Sequence, residues 1–347
     1  MLSKSFEVFS GTGGVGKTTL AAARAIHLAR EGKSVLLITI DPAKRLRDLL
    51  RISETDAGEV ISTPDPLNKG ENLNLDTELM NSTKTFERIA QIEKNQDILQ
   101  NRILKILTKP YGGLNEILAI VELNLQYKKK KYDTIVLDTP PGDHFLDFLE
   151  STHKIKLFFD KSFIDIFQYL GKKFDTSSLG IGKTFMNKLV SSGVKKLLGY
   201  LNKVTGDKFV QDFIDAVIAI YQVKTPFLDA LDLQEKLKDS SISNWYLVTS
   251  VEQKKLHEAL EIKEGAHGLI TDDTYVILNK CLSQEIIDWK PAENSQEEKL
   301  KLSLVKKEEI LKETIKKHFK HILEFPEVIS LSPIDHIDKL SLTWKSL

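Results

Sequence analysis

A glycine-rich string near the start of this 347-residue chain combines residue types that bind phosphate. Its residues, in order, are Gly11, Thr12, Gly13, Gly14, Val15, Gly16, Lys17, Thr18 and Thr19. They match the spacing G-x-x-x-x-G-K-[ST], in which glycines let backbone N–H groups turn toward phosphate oxygens at a helix N-terminus. Lys17 can reach the outer phosphates, and the Thr18 hydroxyl can bind Mg²⁺. The string therefore predicts a nucleoside triphosphate site that uses Mg²⁺.

Two aspartates end predicted strands and add carboxylates to this chemistry. Ligands of open parallel sheets bind beyond the carboxyl ends of the strands, so both carboxylates are expected to face the nucleotide. Asp138 has the position of a Walker B carboxylate and would hold Mg²⁺ through a water, whereas Asp41 would orient or deprotonate the attacking water. Helix capping is the alternative role for either aspartate. His144, just beyond, either senses the γ-phosphate or has a purely structural role.

The string Asn279-Lys280-Cys281-Leu282 bears on the choice of base. A guanine pocket of the N-K-x-D type needs an aspartate at its last position, and Leu282 accepts no hydrogen bond. Asn279 can still hydrogen-bond an adenine edge, with a simple strand-ending role as the alternative. The string therefore favours ATP over GTP.

Short apolar or aromatic runs between helical stretches indicate the elements that position these residues. The predicted strands are Phe6–Ser10, Ser34–Ile40, Tyr132–Asp138, Asn244–Thr249, Tyr275–Asn279 and Val328–Leu331. Helices are predicted over Lys17–Arg30 and Val251–Lys263. Because most of the strands are apolar nearly throughout, they predict an α/β fold with a doubly wound, mostly parallel sheet of the P-loop NTPase kind.

Two stretches interrupt this alternation and are predicted to be large helical insertions, residues 76–127 and 144–241. The second contains most of the phenylalanines, and between Lys161 and Lys208 it carries nine lysines against three aspartates. Paired apolar residues recur there at three-to-four spacing from Phe209 to Tyr221, which predicts one broad apolar helix face. The remaining residues form the predicted nucleotide-binding core, which comprises 1–75, 128–143 and 242–347.

Composition limits the classes of partner and compartment. The 49 basic side chains balance 49 acidic ones, which argues against a surface devoted to nucleic acid. Neither a signal-peptide pattern nor a run of about 18 apolar residues occurs, so a soluble protein is expected. The single cysteine, Cys281, rules out an intrachain disulfide and favours a reducing, cytoplasmic setting.

Three strings of the chain together resemble the ArsA-type ATPases. They are GTGGVGKTTLAAARA, LLITIDPAKRLRDLL and YDTIVLDTPPGDHFLDFLE, in that order. This family of P-loop NTPases with a deviant Walker A motif includes anion-transporting and arsenical pump-driving ATPases. It also includes the cytosolic ATPase that targets tail-anchored membrane proteins. The resemblance implies an ATPase that works as a homodimer or pseudodimer with two ATPs near the interface.

The resemblance also implies roles for single positions. Asp41 and Pro42 fall in the family's switch I, residues 138–144 fall in its switch II, and Asn279 falls at its adenine contact. The loop after the last strand, around Pro333, would lie near the base. The helical insertions would form the family's client- or effector-binding subdomain.

Two departures from the family pattern change what is expected. The family's phosphate loop usually has a signature lysine at the position of Thr12, where it reaches the nucleotide of the partner subunit. A threonine places no charge there, so either the homodimer hydrolyses ATP slowly or a lysine-bearing paralogue supplies the cation in a heterodimer. Cys281 alone cannot form the thiolate cluster that As(III) prefers, and two copies of the chain cannot form a four-cysteine zinc site.

The function that these features favour is an ATP-gated switch that handles a hydrophobic protein client or a membrane protein. The phenylalanine-rich insertion supports it, because a transmembrane client needs an apolar groove. A self-contained helical bundle is the alternative for that insertion. Alternative functions for the chain are an energising subunit of an anion or metalloid exporter, a MinD-like positioning ATPase and a poorly hydrolysing regulatory partner.

Overall fold

The computed structural model describes residues 3–40, 56–65, 72–109, 113–160, 200, 203–266, 268–271, 273–282, 284–330 and 332–346. The chain forms two compact units. The first, called the sheet unit below, comprises Met1–Met80, Gln126–Leu149 and Gln234–Leu347. The second, the helical unit, comprises Asn81–Leu125 and Glu150–Leu233. All of the nucleotide motifs fall in the sheet unit.

The sheet unit is built on one eight-stranded sheet. Its strands are β1 (Phe6–Gly11), β2 (Val35–Thr39), β3 (Val60–Pro64), β4 (Asn72–Leu79), β5 (Thr134–Asp138), β6 (Ser243–Ser250), β7 (Tyr275–Cys281) and β8 (His321–Pro326). They lie in the order β3-β4-β2-β5-β1-β6-β7-β8, and each neighbouring pair is parallel except β3 with β4. This order confirms the predicted α/β, mostly parallel P-loop NTPase fold. Strands β1, β2, β5, β6 and β7 therefore end at a common edge, called the carboxyl edge below.

Helices connect these strands and make up the helical unit. They are α1 (Lys17–Arg30), α2 (Ser82–Ile92), α3 (Arg102–Leu107), α4 (Asn115–Lys128), α5 (Asp143–Phe158), α6 (Asp207–Gln222), α7 (Lys224–Leu237), α8 (Gln253–Gly265), α9 (Gln284–Asp288), α10 (Gln296–Lys316) and α11 (Pro333–Ser346). Within the described ranges, none of them is both long enough and apolar enough to cross a membrane.

Five of the six predicted strands are present within one or two residues of their expected ends, and the sixth was misplaced. The run Val328–Leu331 is not a strand over its described residues; the last strand, β8, ends at Pro326. Strand β8 lies at the sheet edge and mixes exposed and half-buried positions, with only Phe325 buried, which hides it from a search for continuous apolar runs. Strand β4 has polar residues between its apolar ones, and it crosses the predicted boundary between residues 75 and 76.

The packing of helix α1 on two sides explains why its sequence is so rich in alanine. Every residue from Leu20 to Ala29 is buried, because α1 lies between the sheet and α11. Small side chains allow this close approach on both sides. Arg30, near the end of α1, donates to Asp65 at 3.0 Å and also binds Asp338 of α11. The phosphate loop is therefore followed by a helix that is fixed on two faces.

The helical unit has its own core and its own polar network. Glu122 of α4 accepts a hydrogen bond from Thr85 Oγ1 at 2.7 Å and pairs with Arg88. Half of the predicted apolar face of α6 is buried, through Val210, Ile214, Val217 and Ile220, whereas Phe209 is exposed. A closed bundle and a client-binding surface therefore both stay predictions for this insertion.

Candidate active site

The backbone of the phosphate loop has a shape that only glycine allows at two positions. Gly14 and Gly16 have φ angles of 81° and 90°, in the left-handed region. A Cβ on Gly16 would also collide with the side-chain amide nitrogen of Asn279. The loop therefore needs Gly16 both for its conformation and for the close approach of β7.

The start of α1 is open for an anion. Its N-cap is Gly16, which has no side chain to cap the first N–H groups of the helix. Gly13 and Gly14 are exposed, and a Cβ built on either one would meet no atom within 4 Å. Uncapped donors beside open space fit the phosphate groups of ATP.

Three predicted site residues meet at the carboxyl edge. Lys17 Nζ donates to Asp138 Oδ1 at 2.6 Å and also to the carbonyl oxygen of Thr139. Thr18 Oγ1 donates to Asp138 Oδ2 at 2.8 Å. Asp138 is the last residue of β5 and is only 1% exposed. The loop lysine, the loop hydroxyl and the buried carboxylate thus form one connected cluster.

Thr39, which was not identified from the sequence, is a fourth member of this cluster. It ends β2 and is paired in register with Asp138, and its hydroxyl donates to Asp138 Oδ2 at 2.9 Å. The only sequence signal was its position at the end of a strand, two residues before Asp41. Because its partner depends on strand register, spacing along the chain could not identify it.

The oxygen donors in this cluster fit Mg²⁺. Magnesium prefers hard oxygen ligands and usually keeps several waters, so one hydroxyl and one carboxylate suffice beside phosphate oxygens. Thr18 is half-buried at the loop, and the carboxylate of Asp138 is held beside it. These two residues would hold the metal, and its chemistry would be to neutralise phosphate charge.

Asn279 contacts the phosphate loop directly. Its Nδ2 donates to the carbonyl oxygen of Val15 at 2.8 Å, so the end of β7 holds the loop in place. The predicted contact of Asn279 with adenine stays a prediction.

Three buried hydroxyls near the loop form no hydrogen bond with the described residues, and they belong to Thr12, Thr249 and Ser250. Thr12 follows β1, and the other two residues end β6, its neighbour in the sheet. Thr12 is only 2% exposed, so its side chain does not project from the surface of the chain. The carboxyl edge therefore has polar groups without partners within the described parts of the chain.

Other predicted site residues are not part of the cluster as described. Asp41 and Pro42 lie outside the described residues. His144 is exposed in the first turn of α5. Pro333 is exposed and is the first residue of α11 rather than part of a loop, a position that suits its fixed φ angle. Thr19 is half-buried in the first turn of α1.

Cys281 lies in a different environment, at the end of β7. Its Sγ is within 4.8 Å of carboxylate oxygens of Glu308 and Glu324. Lys312 Nζ already binds both carboxylates, at 2.8 and 2.6 Å. Burial raises the pKa of the Cys281 thiol to about 12, so the sulfur is a poor metal ligand. This arrangement indicates that Cys281 packs at the end of β7 rather than binding a metal.

Comparison with known proteins gives a consistent family match. The sequence model of the family described as "Anion-transporting ATPase" matches residues 4–326. An "ATPase ASNA1 homolog" of Plasmodium yoelii yoelii is 36% identical over 139 residues, which are 40% of this chain and 34% of the relative. A "Putative arsenical pump-driving ATPase 1" of Aquifex aeolicus is 28% identical over 162 residues, 45% of this chain and 40% of the relative. An "ATPase get3" of Botryotinia fuckeliana is 33% identical over 142 residues, 40% of each chain.

The matched segments are short relative to these proteins. They span only about a third to two fifths of the length of the curated relatives. The match to the family model, in contrast, covers nearly the whole chain and confirms the resemblance seen in the three strings.

Proposed function

Because this chain belongs to the anion-transporting ATPase family, we propose that it binds ATP with Mg²⁺ at the carboxyl edge and hydrolyses it. The observation that carries the proposal is the meeting of Lys17 and Thr18 with Asp138 beneath an uncapped helix N-terminus. Phosphoryl transfer needs mainly positioned charges, and this cluster supplies them.

Each of the predicted site residues has a distinct task in the proposed reaction. The loop N–H groups and Lys17 would bind the phosphates, while Thr18 and, through a water, Asp138 would hold Mg²⁺. Asp41 would orient or deprotonate the attacking water. Asn279 keeps the loop in shape through Val15, and it would also contact the adenine.

A mutation of Asp41 tests hydrolysis separately from binding. Asp41→Asn is expected to bind a fluorescent ATP analogue about as well as the wild type, because the phosphate loop is unchanged. Phosphate release in a single turnover should fall by roughly 100-fold or more, since positioned general bases typically contribute that much. The control is Asp273→Asn, an exposed residue that precedes β7 at the opposite edge of the sheet. Unchanged phosphate release from Asp41→Asn would contradict the assigned role.

The finer role that we propose is coupling of this cycle to a hydrophobic protein client, in a dimer. Support comes from large apolar side chains that are exposed in the helical unit, which include Ile92, Ile106, Leu157, Tyr200 and Val204. Exposed apolar side chains of this kind would be available to contact a transmembrane segment. If the Asp41→Asn protein, purified with ATP, carries membrane-protein segments with it, the client role is supported. If only the protein itself is recovered, that result would count against the client role.

A poorly hydrolysing regulatory partner is the second candidate, and Thr12 favours it. A buried threonine provides no cation to a partner's nucleotide. Thr12→Lys should then raise the single-turnover rate of the isolated protein by about 10-fold or more, because one well-placed donor is worth at least that much. Thr12→Ser, which adds no charge, is the control. A fast wild-type protein that Thr12→Lys does not accelerate would exclude this candidate.

A further inference from the structure

Among the described residues, three side chains donate hydrogen bonds to Asp138, and they differ in whether a ligand could draw the donor away. Lys17 and Thr18 come from the phosphate loop and α1, whereas Thr39 comes from the neighbouring strand β2. Strand register fixes the last bond, because Thr39 and Asp138 are directly paired. The backbone continues this pairing, since the N–H of Ile40 donates to the carbonyl oxygen of Asp138 at 3.1 Å. The Thr39 contact is therefore part of the sheet rather than part of the loop.

The other two donors, Lys17 and Thr18, are the groups that would bind the proposed ligand, ATP with Mg²⁺. Lys17 is needed on the outer phosphates and Thr18 is needed on Mg²⁺. Once both have turned from Asp138, Thr39 is the remaining side-chain donor to this carboxylate among the described residues. A carboxylate without that bond can rotate broadly about its terminal torsion.

We propose that Thr39 is a positioning residue that fixes the Asp138 carboxylate for Mg²⁺ when nucleotide is bound. This inference rests on the proposed function. The Thr39 hydroxyl occupies one lone pair of Oδ2 and leaves the others, with Oδ1, for a metal-bound water. Both residues are almost fully buried, so bulk water does not readily replace a lost hydroxyl.

Another strand of the same sheet offers a matched control. Thr77 of β4 is fully buried like Thr39, and its hydroxyl lies 2.8 Å from Thr63 Oγ1 of β3. Thr77→Val and Thr39→Val therefore each remove a buried hydroxyl and its hydrogen bond, which goes to a hydroxyl in one case and to a carboxylate in the other. Only Thr39→Val removes it from Asp138.

The test measures binding rather than turnover. The affinity for a fluorescent ATP analogue is determined in EDTA, and Mg²⁺ is then titrated into the complex. Thr39→Val should leave the affinity in EDTA close to that of the wild type. It should raise the half-saturating Mg²⁺ concentration by about 10-fold, the lower end of the effect of losing an outer partner at a metal site, because Asp138 acts through a water. Thr39→Ser, which restores the hydroxyl, and Thr77→Val should both titrate like the wild type.

Three outcomes would overturn the inference. The first is a Thr39→Val protein with an unchanged Mg²⁺ requirement, and the second is an equal shift in Thr77→Val, which would indicate general loosening of the sheet. The third is a Thr39→Ser protein that fails to recover the wild-type titration. Thermal unfolding checks each variant, and Thr39→Ala replaces Thr39→Val if the latter does not fold. A wild-type protein whose nucleotide binding ignores Mg²⁺ would instead refute the proposed metal site.

Discussion

Two buried carboxylates in adjacent strands of one sheet have different surroundings. Glu7 of β1 and Asp138 of β5 are 0% and 1% exposed, and each pairs with a cation from the same helix, α1. Glu7 binds Arg24 Nε at 3.1 Å, and Asp138 binds Lys17 Nζ at 2.6 Å. The two pairs thus connect the same two layers of the fold.

The remaining partners of the two carboxylates show why the Glu7 pair is structural, whereas the Asp138 pair can release its donors to a ligand. Glu7 also accepts bonds from the hydroxyl of Tyr246 at 2.5 Å and the amide of Asn244 at 2.9 Å, all inside the sheet unit. The partners of Asp138 include Thr18, which belongs to an open loop. A buried ion pair near the start of a strand is closed by its neighbours, whereas the same pair at the carboxyl edge can give its donors to a ligand. Position along the strand therefore decides the role.

The largest predicted effect is on stability, from Arg24→Met. Removing this cation leaves Glu7 as a buried charge without its ion pair, which typically costs about 3–5 kcal/mol. The substitution also removes the guanidinium that lies 4.7 Å from the ring centroid of Trp344. Urea unfolding should show the loss, while the folded protein retains its affinity for nucleotide.

Arg30→Met is the matched control for Arg24→Met. Arg30 lies on the same helix and pairs with two carboxylates, but its side chain is 24% exposed, so water can replace part of what is lost. Arg30→Met should therefore lower the unfolding free energy clearly less than Arg24→Met does. Equal losses of unfolding free energy in the two variants would mean that burial does not make the Glu7 pair more stabilising than the partly exposed pairs of Arg30.

Lys17→Met should affect binding first and stability second. Loss of a charged donor to the phosphates should weaken ATP analogue binding by about 10- to 100-fold, on the order of 1.5–3 kcal/mol. The ligand-free protein should also be destabilised, because Asp138 stays buried without its cation. Adding Asp138→Asn should restore stability but not binding. If the double variant were as unstable as Lys17→Met, the Asp138 pair would be structural, like that of Glu7.

Sequence reasoning identified residues that lie together where the motif is contiguous, and it missed partners that depend on strand register. Lys17 and Thr18 are fixed by one contiguous motif, and Asp138 is marked by the end of an apolar strand. Thr39 and Glu7 acquire their partners from other strands and helices, which spacing along the chain does not specify. An acidic residue inside an apolar strand was the available signal for Glu7, because a buried charge requires a partner.

A smaller effect is expected from Tyr246→Phe, and it depends on pH. Burial, followed by the charge of Glu7, raises the pKa of Tyr246 well above 10. The folded state therefore keeps the phenol proton where the unfolded state loses it, so this contribution is complete below pH 10 and is lost as pH rises further. Wild-type unfolding free energy should fall above pH 10 by up to about 1.4 kcal/mol per pH unit for this group.

Tyr246→Phe should cost about 1 kcal/mol at neutral pH and flatten the alkaline decline. Tyr132→Phe is the comparison, since burial, with its bond to Asp76, raises the pKa of Tyr132 to about 12. That variant should flatten the decline only up to about pH 12. An unchanged alkaline slope in Tyr246→Phe would contradict a closed network around Glu7.

The smallest predicted effect compares one substitution at two places in the sheet. Thr77→Val breaks a hydrogen-bonded pair and leaves Thr63 without its partner, so unfolding free energy should fall by about 1 kcal/mol. Thr249→Val at the carboxyl edge removes a buried hydroxyl that has no partner among the described residues, so unfolding free energy should stay the same or rise. Urea unfolding without nucleotide measures both. If Thr249→Val loses as much unfolding free energy as Thr77→Val, the end of β6 is as fully paired as the β3–β4 side of the sheet. The distinction between a closed part of the sheet and an edge that awaits a ligand then fails.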